Sequence, residues 1–192
     1  MKILFLRHGK TKGNKENRYI GRTDEPLCAE GRTELKRRDT EFSPEIIYSS
    51  PMKRAVETAK ICFPDAKICT EEGLKEMDFG VFESRLVSEL EKDPLYKEWI
   101  DSYCSNNCHG GETLQDFNRR VYAGFEKLYA EAKKSGRNEI AIVAHGGVIM
   151  ALFDRFSEDK RDFFDWFVKN GCGYTADVKD NGSISLLNIK EF

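Results

Sequence analysis

Lys2-Ile3-Leu4-Phe5-Leu6-Arg7-His8-Gly9 is a short apolar run that ends in an arginine, a histidine and a glycine. Its length and composition, bounded by Gly9, are those of a buried strand. Ligands in open α/β sheets bind just beyond the carboxyl ends of the strands. A guanidinium, an imidazole and a permissive backbone therefore arrive together where chemistry is usually done. Alone, the triplet is weak evidence, because an Arg-His-Gly is more often a loop than a site. Much later, Ile140-Ala141-Ile142-Val143-Ala144-His145-Gly146-Gly147 repeats the arrangement, and the chain holds only three histidines. Two apolar strands that each deliver His-Gly to the same end of a sheet predict an α/β fold with one shared site.

Working outward, Glu45–Ser49 and Ala66–Thr70 read as further strands. Ser50-Pro51 breaks the first of these and starts a helix, with Pro51 at an early helical position and Arg54 in the first turn. Glu30–Arg38 looks like a charged, exposed helix. Residues 113–135 are the clearest helix, because Leu114, Phe117, Val121, Phe125, Leu128 and Ala132 follow the three-and-four spacing of one buried face. Gly136 ends it. Val148–Phe156 suggests another helix, Phe163–Phe167 an amphipathic or capping segment, and Tyr174–Ile189 a hairpin turning at Asn181-Gly182. This alternation predicts a three-layer α/β/α architecture with a mainly parallel central sheet. We expect a single domain over 1–192, with a cap-like insertion around 84–112. Within it, Leu95, Tyr96, Trp99, Ile100 and Tyr103 form an apolar and aromatic set, equally compatible with a pocket cap and a satellite core.

Composition narrows the partners. The 192 residues are 40% hydrophobic and 33% charged, with a formal net charge of −2. Nothing in that balance drives binding to nucleic acid or to anionic membranes. No apolar run approaches the ~20 residues of a membrane span. The start runs directly into a strand without a cleavage signal, so a cytoplasmic location is expected. Six scattered cysteines read as free thiols. Cys104 and Cys108-His109 resemble half a zinc site, but no second ligand pair follows at finger spacing, so no metal is expected.

Several residues carry candidate chemistry. The stretch 9–27 is long for a connection and rich in Lys, Arg, Asn and Thr. It is either a solvated loop or a donor-lined anion pocket closing over His8. Arg54, near a helix N-terminus, is either an ordinary surface arginine, the usual case for such a position, or a planar bidentate donor to phosphate. Glu76 and Asp78 are loop carboxylates with apolar neighbours.

Taken together, these segments resemble the histidine phosphatase, or phosphoglycerate mutase-like, superfamily. Arg7-His8-Gly9 matches its opening motif, and Asn14–Leu27 is similar to the loop that follows. Ser49–Ala59 looks like the segment carrying its second arginine, Lys75–Gly80 like the block with its acid, and Ala144–Gly147 like its late histidine. The resemblance runs from Met1 to about Met150, in the family's order. Lys10 stands where many members have Glu.

The resemblance implies an enzyme and assigns roles. His8 would form a phosphohistidine. Arg7, Arg54 and His145 would surround the phosphate oxygens. Glu76, rather than Asp78, would protonate the leaving oxygen. Thr11, Asn14, Gly21 and Gly146 would add substrate contacts. No cofactor or metal is implied, and the expected partner is a small phosphorylated substrate. The block Asp78–Glu83 and Gly110-Gly111-Glu112-Thr113 resemble the α-ribazole phosphatase branch, although Ser84 stands where that branch often has Gly. A phosphatase is expected before a mutase, because little chain after His145 is left for a long basic closing tail. A non-catalytic phospho-ligand module would have lost part of the set Arg7, His8, Arg54, Glu76 and His145. A nucleotide-binding α/β protein would need a glycine-rich phosphate loop that Gly9-Lys10-Thr11-Lys12-Gly13 does not supply.

Overall fold

The computed structural model describes residues 1–36, 42–102, 104 and 108–192. The strands are β1 (Lys2–Arg7), β2 (Ile46–Ser49), β3 (Lys67–Thr70), β4 (Glu139–Ala144), β5 (Gly173–Asp180) and β6 (Ile184–Glu191). They form one sheet in the order β3-β2-β4-β1-β5-β6. The first four run parallel, and β5 and β6 add to the β1 side as an antiparallel hairpin.

The central strands are apolar on both faces because both faces are covered. Ile3, Phe5, Ile140, Ile142 and Ala144 pack on one side with α6 (Leu114–Lys134) and α7 (Gly146–Phe156). Leu4, Leu6, Ala141 and Val143 pack on the other side with α3 (Lys53–Cys62), whose Ala55 and Ala59 let it lie close to the sheet. The periodic face read for α6 is the buried one: Phe117, Val121, Phe125, Leu128 and Ala132 all enter the core. Thr113 caps that helix by accepting from the Asp116 N–H at 3.0 Å. Gly136, at φ 67°, ends it in the left-handed region.

Three boundaries differ from the sequence reading. Pro51 lies outside α3, which begins at Lys53 after the cap residue Met52, so the proline sets the entry bend and not the first turn. The loop after His8 contains one helical turn, α1 (Lys12–Lys15), too short to show a period. The charged helix is α2 (Ala29–Lys36); Arg37 and Arg38, like Tyr103 of the aromatic set, lie outside the described residues. The segment 84–112 contains α4 (Val87–Leu90) and α5 (Pro94–Asp101). Its Leu90, Trp99 and Cys108 join the core on the α6 side. Among the described residues no helix is long and apolar enough to cross a membrane.

The register fixes the site. Arg7 pairs with Ala144, so β1 and β4 end level with each other. The next residues, His8 and His145, leave the sheet side by side, and the His8 N–H still donates to the Ala144 carbonyl at 3.0 Å. β2 flanks β4 on its other side and brings Ser50 and the start of α3, with Arg54, to the same end.

Candidate active site

His8 and His145 meet edge to face with ring centroids 5.0 Å apart. His8 is 3% exposed and His145 0%. The His8 Nδ1 lies 2.7 Å from the Gly9 carbonyl, which can only accept, so Nδ1 carries the proton and the Nε2 lone pair is free. In His145 the order is reversed in purpose. Its Nδ1 accepts from Arg54 Nε at 3.3 Å, so Nε2 carries the proton and donates to Ser50 Oγ at 2.8 Å. Burial first, and the Arg54 and Arg7 charges next, hold the His8 pKa well below the usual imidazole value. Burial and Arg54 do the same to His145. Both rings are neutral, which suits one to attack and the other to donate.

Two guanidiniums close the site. Arg54 is fully buried, with Nη1 donating to the Thr23 carbonyl at 2.8 Å and Nη2 to the Gly21 carbonyl at 2.7 Å. Thr58 ties its helix to the first motif: its hydroxyl donates to the Arg54 carbonyl at 2.7 Å and accepts from the Gly9 N–H at 3.0 Å. Arg7 Nη1 donates to the Val168 carbonyl at 2.7 Å, and its Cζ sits 5.1 Å from the Phe167 ring centre. Its Nε is buried and has no partner among the described residues. A buried, charged N–H without an acceptor is costly unless a ligand supplies one. Burial lowers the pKa of both arginines and the Glu76 charge raises it, but a guanidinium stays protonated regardless.

Glu76 reaches the same end of the sheet. Its carboxylate accepts from the Met77 N–H and the Gly147 N–H, each at 3.0 Å. A Cβ at Gly147 would fall against Glu76 Oε1, so only glycine lets this carboxylate approach α7. Arg120 holds the segment from behind. It donates to the carbonyls of Gly73, Lys75 and Glu76 at 3.1, 2.7 and 2.9 Å, and it pairs with Glu112. Asp78 turns the other way, to Arg22 Nη2 at 2.7 Å and the Gly80 N–H.

The remaining candidates divide. Asn14 and Gly146 line a cleft together with Arg7 and Glu76. Asn14 Oδ1 accepts from Thr11 Oγ1 and from Asn170 Nδ2, at 3.0 and 3.2 Å, which leaves its amide N–H groups for the cleft. Thr11 is fully buried and spends its hydroxyl on Asn14 as a helix cap, so it positions Asn14 and does not itself face the cleft. Gly21 likewise serves through its carbonyl on Arg54. Sequence reasoning missed Ser50, Thr58, Asn170 and Arg120; a polar residue directly after a strand was the only signal available, and it applies to Ser50 alone. The cleft measures about 950 Å³, and its outer wall is aromatic: Tyr19, Phe79, Trp99, Phe163, Phe164 and Phe167.

Residues 3–190 match the histidine phosphatase superfamily, branch 1. The chain belongs to that superfamily. A histidine phosphatase of this kind carries the mainly parallel α/β sheet read from the sequence, and the expectation of a phosphatase-class enzyme holds. The chain is 28% identical to phosphoserine phosphatase 1 of Hydrogenobacter thermophilus, over all of this chain and 88% of that protein. It is 26% identical to a 2,3-bisphosphoglycerate-dependent phosphoglycerate mutase of Bifidobacterium longum, over 83% of this chain and 79% of the mutase. The α-ribazole phosphatase structure from Shigella flexneri superposes with a TM-score of 0.81 at 25% identity, covering 97% of this chain and 95% of that one. Ser84, where the sequence departs from that branch, has φ 62°. The backbone keeps the left-handed form that glycine favours, and serine there costs on the order of 1 kcal/mol.

The neutral histidines make stability depend on pH. Between their lowered folded values and ~6.5, the unfolded chain binds more protons than the folded one. Stability is therefore complete above ~6.5 and is lost as pH falls, by up to about 1.4 kcal/mol per pH unit for each ring. Urea unfolding from pH 7.5 to 5 should show that decline, and it should flatten in His8→Gln. An unchanged slope in the variant would mean that other groups carry it.

Proposed function

We propose that this histidine phosphatase hydrolyses a phosphomonoester with a bulky, ring-containing leaving group, through a phosphohistidine on His8. The observation that carries the reading is the buried, unpartnered Arg7 Nε, which lies in the same site as the free Nε2 of His8. In the first step the Nε2 lone pair attacks phosphorus and the bond to the leaving oxygen breaks. A protonated Glu76 gives its proton to that oxygen. In the second step Glu76 takes a proton from water, the oxygen attacks phosphorus, and the N–P bond electrons return to His8. Arg7, Arg54 and the amide of Asn14 would surround the transferring oxygens, His145 would join them by turning its Nε2–H from Ser50 to a phosphate oxygen, and the N-terminus of α7 at Gly146 adds its dipole. Phosphoryl transfer asks for little beyond this positioning and charge, so the reading calls for no metal.

The outer cleft supports a large, weakly charged leaving group, with α-ribazole 5′-phosphate as the leading candidate. Lys10 is engaged by Glu30 and Glu34, and Arg18 by Glu16. Glu34 and Asp154 line the same cleft. A second anionic end, such as the carboxylate of a phosphoglycerate, finds few uncommitted cations there. The likeness to mutases keeps a 2,3-bisphosphoglycerate-dependent mutase as the alternative.

A panel containing α-ribazole 5′-phosphate, phosphoserine, alkyl phosphates, p-nitrophenyl phosphate, and 3-phosphoglycerate with a trace of 2,3-bisphosphoglycerate separates these readings. Formation of 2-phosphoglycerate faster than phosphate release from every monoester would make the protein a mutase, and no turnover of any would make it a binding module. In the same panel Glu76→Gln should cost about 10²–10⁴-fold on alkyl phosphates. It should cost far less on p-nitrophenyl phosphate, whose leaving group needs little protonation. Equal damage to both would move the acid role elsewhere.

A further inference from the structure

We propose that Glu83 is a positioning residue for catalysis: its carboxylate folds the 21–23 loop into the cradle that holds Arg54 against the transferring phosphate. This rests on the reading of Arg54 as a phosphate clamp.

The Glu83 Oε1 accepts from the N–H groups of Arg22, Gly21 and Phe79 at 2.8, 3.1 and 3.2 Å. Its Oε2 accepts from the Thr23 hydroxyl at 2.7 Å and the Thr23 N–H at 3.3 Å. A single carboxylate thus gathers three consecutive backbone N–H groups of a loop that has no regular structure to satisfy them. The carbonyls of that same loop point the other way. Those of Gly21 and Thr23 each take one N–H from Arg54, and Arg54 in turn donates to His145. The order is Glu83, loop, Arg54, His145, with every link a hydrogen bond.

Two further features fit this role. Gly21 lies so close to the Met77 carbonyl and the Glu83 carboxylate that any side chain there would collide with both, so the loop is pressed onto the segment that carries Glu83. The negative charge of Glu83 also acts on Arg54 and offsets part of what burial takes from its protonated form. Glutamine at 83 would keep the shape, lose the charge, and turn an N–H2 group toward donors. Arg54 would then keep its place in the helix but lose the fixed direction of its two outer nitrogens, which matters more to a transition state than to a resting fold.

The test is a double-mutant cycle on p-nitrophenyl phosphate hydrolysis and orthovanadate inhibition, with melting temperature measured alongside. Glu83→Gln should lower kcat/KM about 10- to 100-fold, mainly through kcat, and weaken vanadate by a similar factor. In an Arg54→Ala background the same change should cost no more than about twofold, while its effect on melting temperature stays the same in both backgrounds. Glu83→Asp should fall between wild type and Glu83→Gln. Thr23→Val removes one bond to Glu83 without touching the core, and should lower kcat/KM by a few-fold even if the Glu83 variants fail to fold. Equal fold-losses in both backgrounds, or wild-type vanadate inhibition in Glu83→Gln and Thr23→Val, would overturn the proposal and leave the clamp reading intact. Wild-type activity in Arg54→Ala alone would overturn the clamp reading, and this proposal with it.

Discussion

His8→Ala is expected to abolish turnover, with kcat/KM for p-nitrophenyl phosphate down by about 10⁴-fold or more, the scale on which deletion of a nucleophile is felt. The reason is local and specific. The hydrogen bond from Nδ1 to the Gly9 carbonyl fixes one tautomer and leaves a single lone pair, and burial beside two arginines keeps the ring neutral. His145, the neighbouring imidazole, cannot take over. Its Nδ1 is occupied by Arg54 and its Nε2 bears the proton given to Ser50. Rapid acid-free quenching of wild type with labelled substrate should trap an acid-labile phosphoenzyme that is absent from His8→Ala. A folded His8→Ala protein with more than about 1% of wild-type turnover would end the covalent mechanism.

Arg54→Ala is expected to cost roughly 2–4 kcal/mol of transition-state stabilisation, or about 30- to 1000-fold in rate, by analogy with the loss of one oxyanion donor. It should also cost stability. Without the guanidinium, the Gly21 and Thr23 carbonyls and His145 Nδ1 are left without their donor. Buried polar atoms left in that way cost about 1–3 kcal/mol each where water cannot reach them. Kinetics should therefore be read well below the melting temperature. Arg54→Lys should recover little, because one ammonium cannot serve two carbonyls, a ring nitrogen and a phosphate in a plane. Full activity in the lysine variant would show that charge alone, and not the fork, is what the site uses.

Much of this protein was open to reading because its signals are local. Each apolar run of β1 and β4 spans a few residues, and the stripe on α6 repeats within its own length. A His-Gly at the end of each strand then placed two histidines at one end of the sheet, since parallel strands present their carboxyl ends together. Position after a strand marked Arg54 and composition marked Glu76 only as candidates, and the resemblance of the motif blocks gave them their roles. Pro51 was placed inside the helix and the α1 turn was not read, because one or two residues at a boundary, or a single turn, leave no period to count.

What only the tertiary structure decided is the direction in which each polar atom is spent. Asp78 and Glu83 sit on one short segment with the same kind of carboxyl group, yet one meets Arg22 and the other gathers the 21–23 backbone. Thr11 was grouped with the phosphate donors and is a cap; Asn170 drew no notice and reaches the His8 carbonyl at 3.1 Å. The free nitrogen of His8, the three carbonyls under Arg120 and the close approach at Gly147 belong to the same class. The sequence by itself determined the strands, the buried helix faces and the sheet end at which they deliver their residues, because these follow from hydrophobic period and strand polarity. Beside a few local bonds such as His8 to Gly9, donor and acceptor pairing at the site joins residues tens to more than a hundred positions apart, and the chain carries no periodic mark of which will meet until the sheet order brings them together.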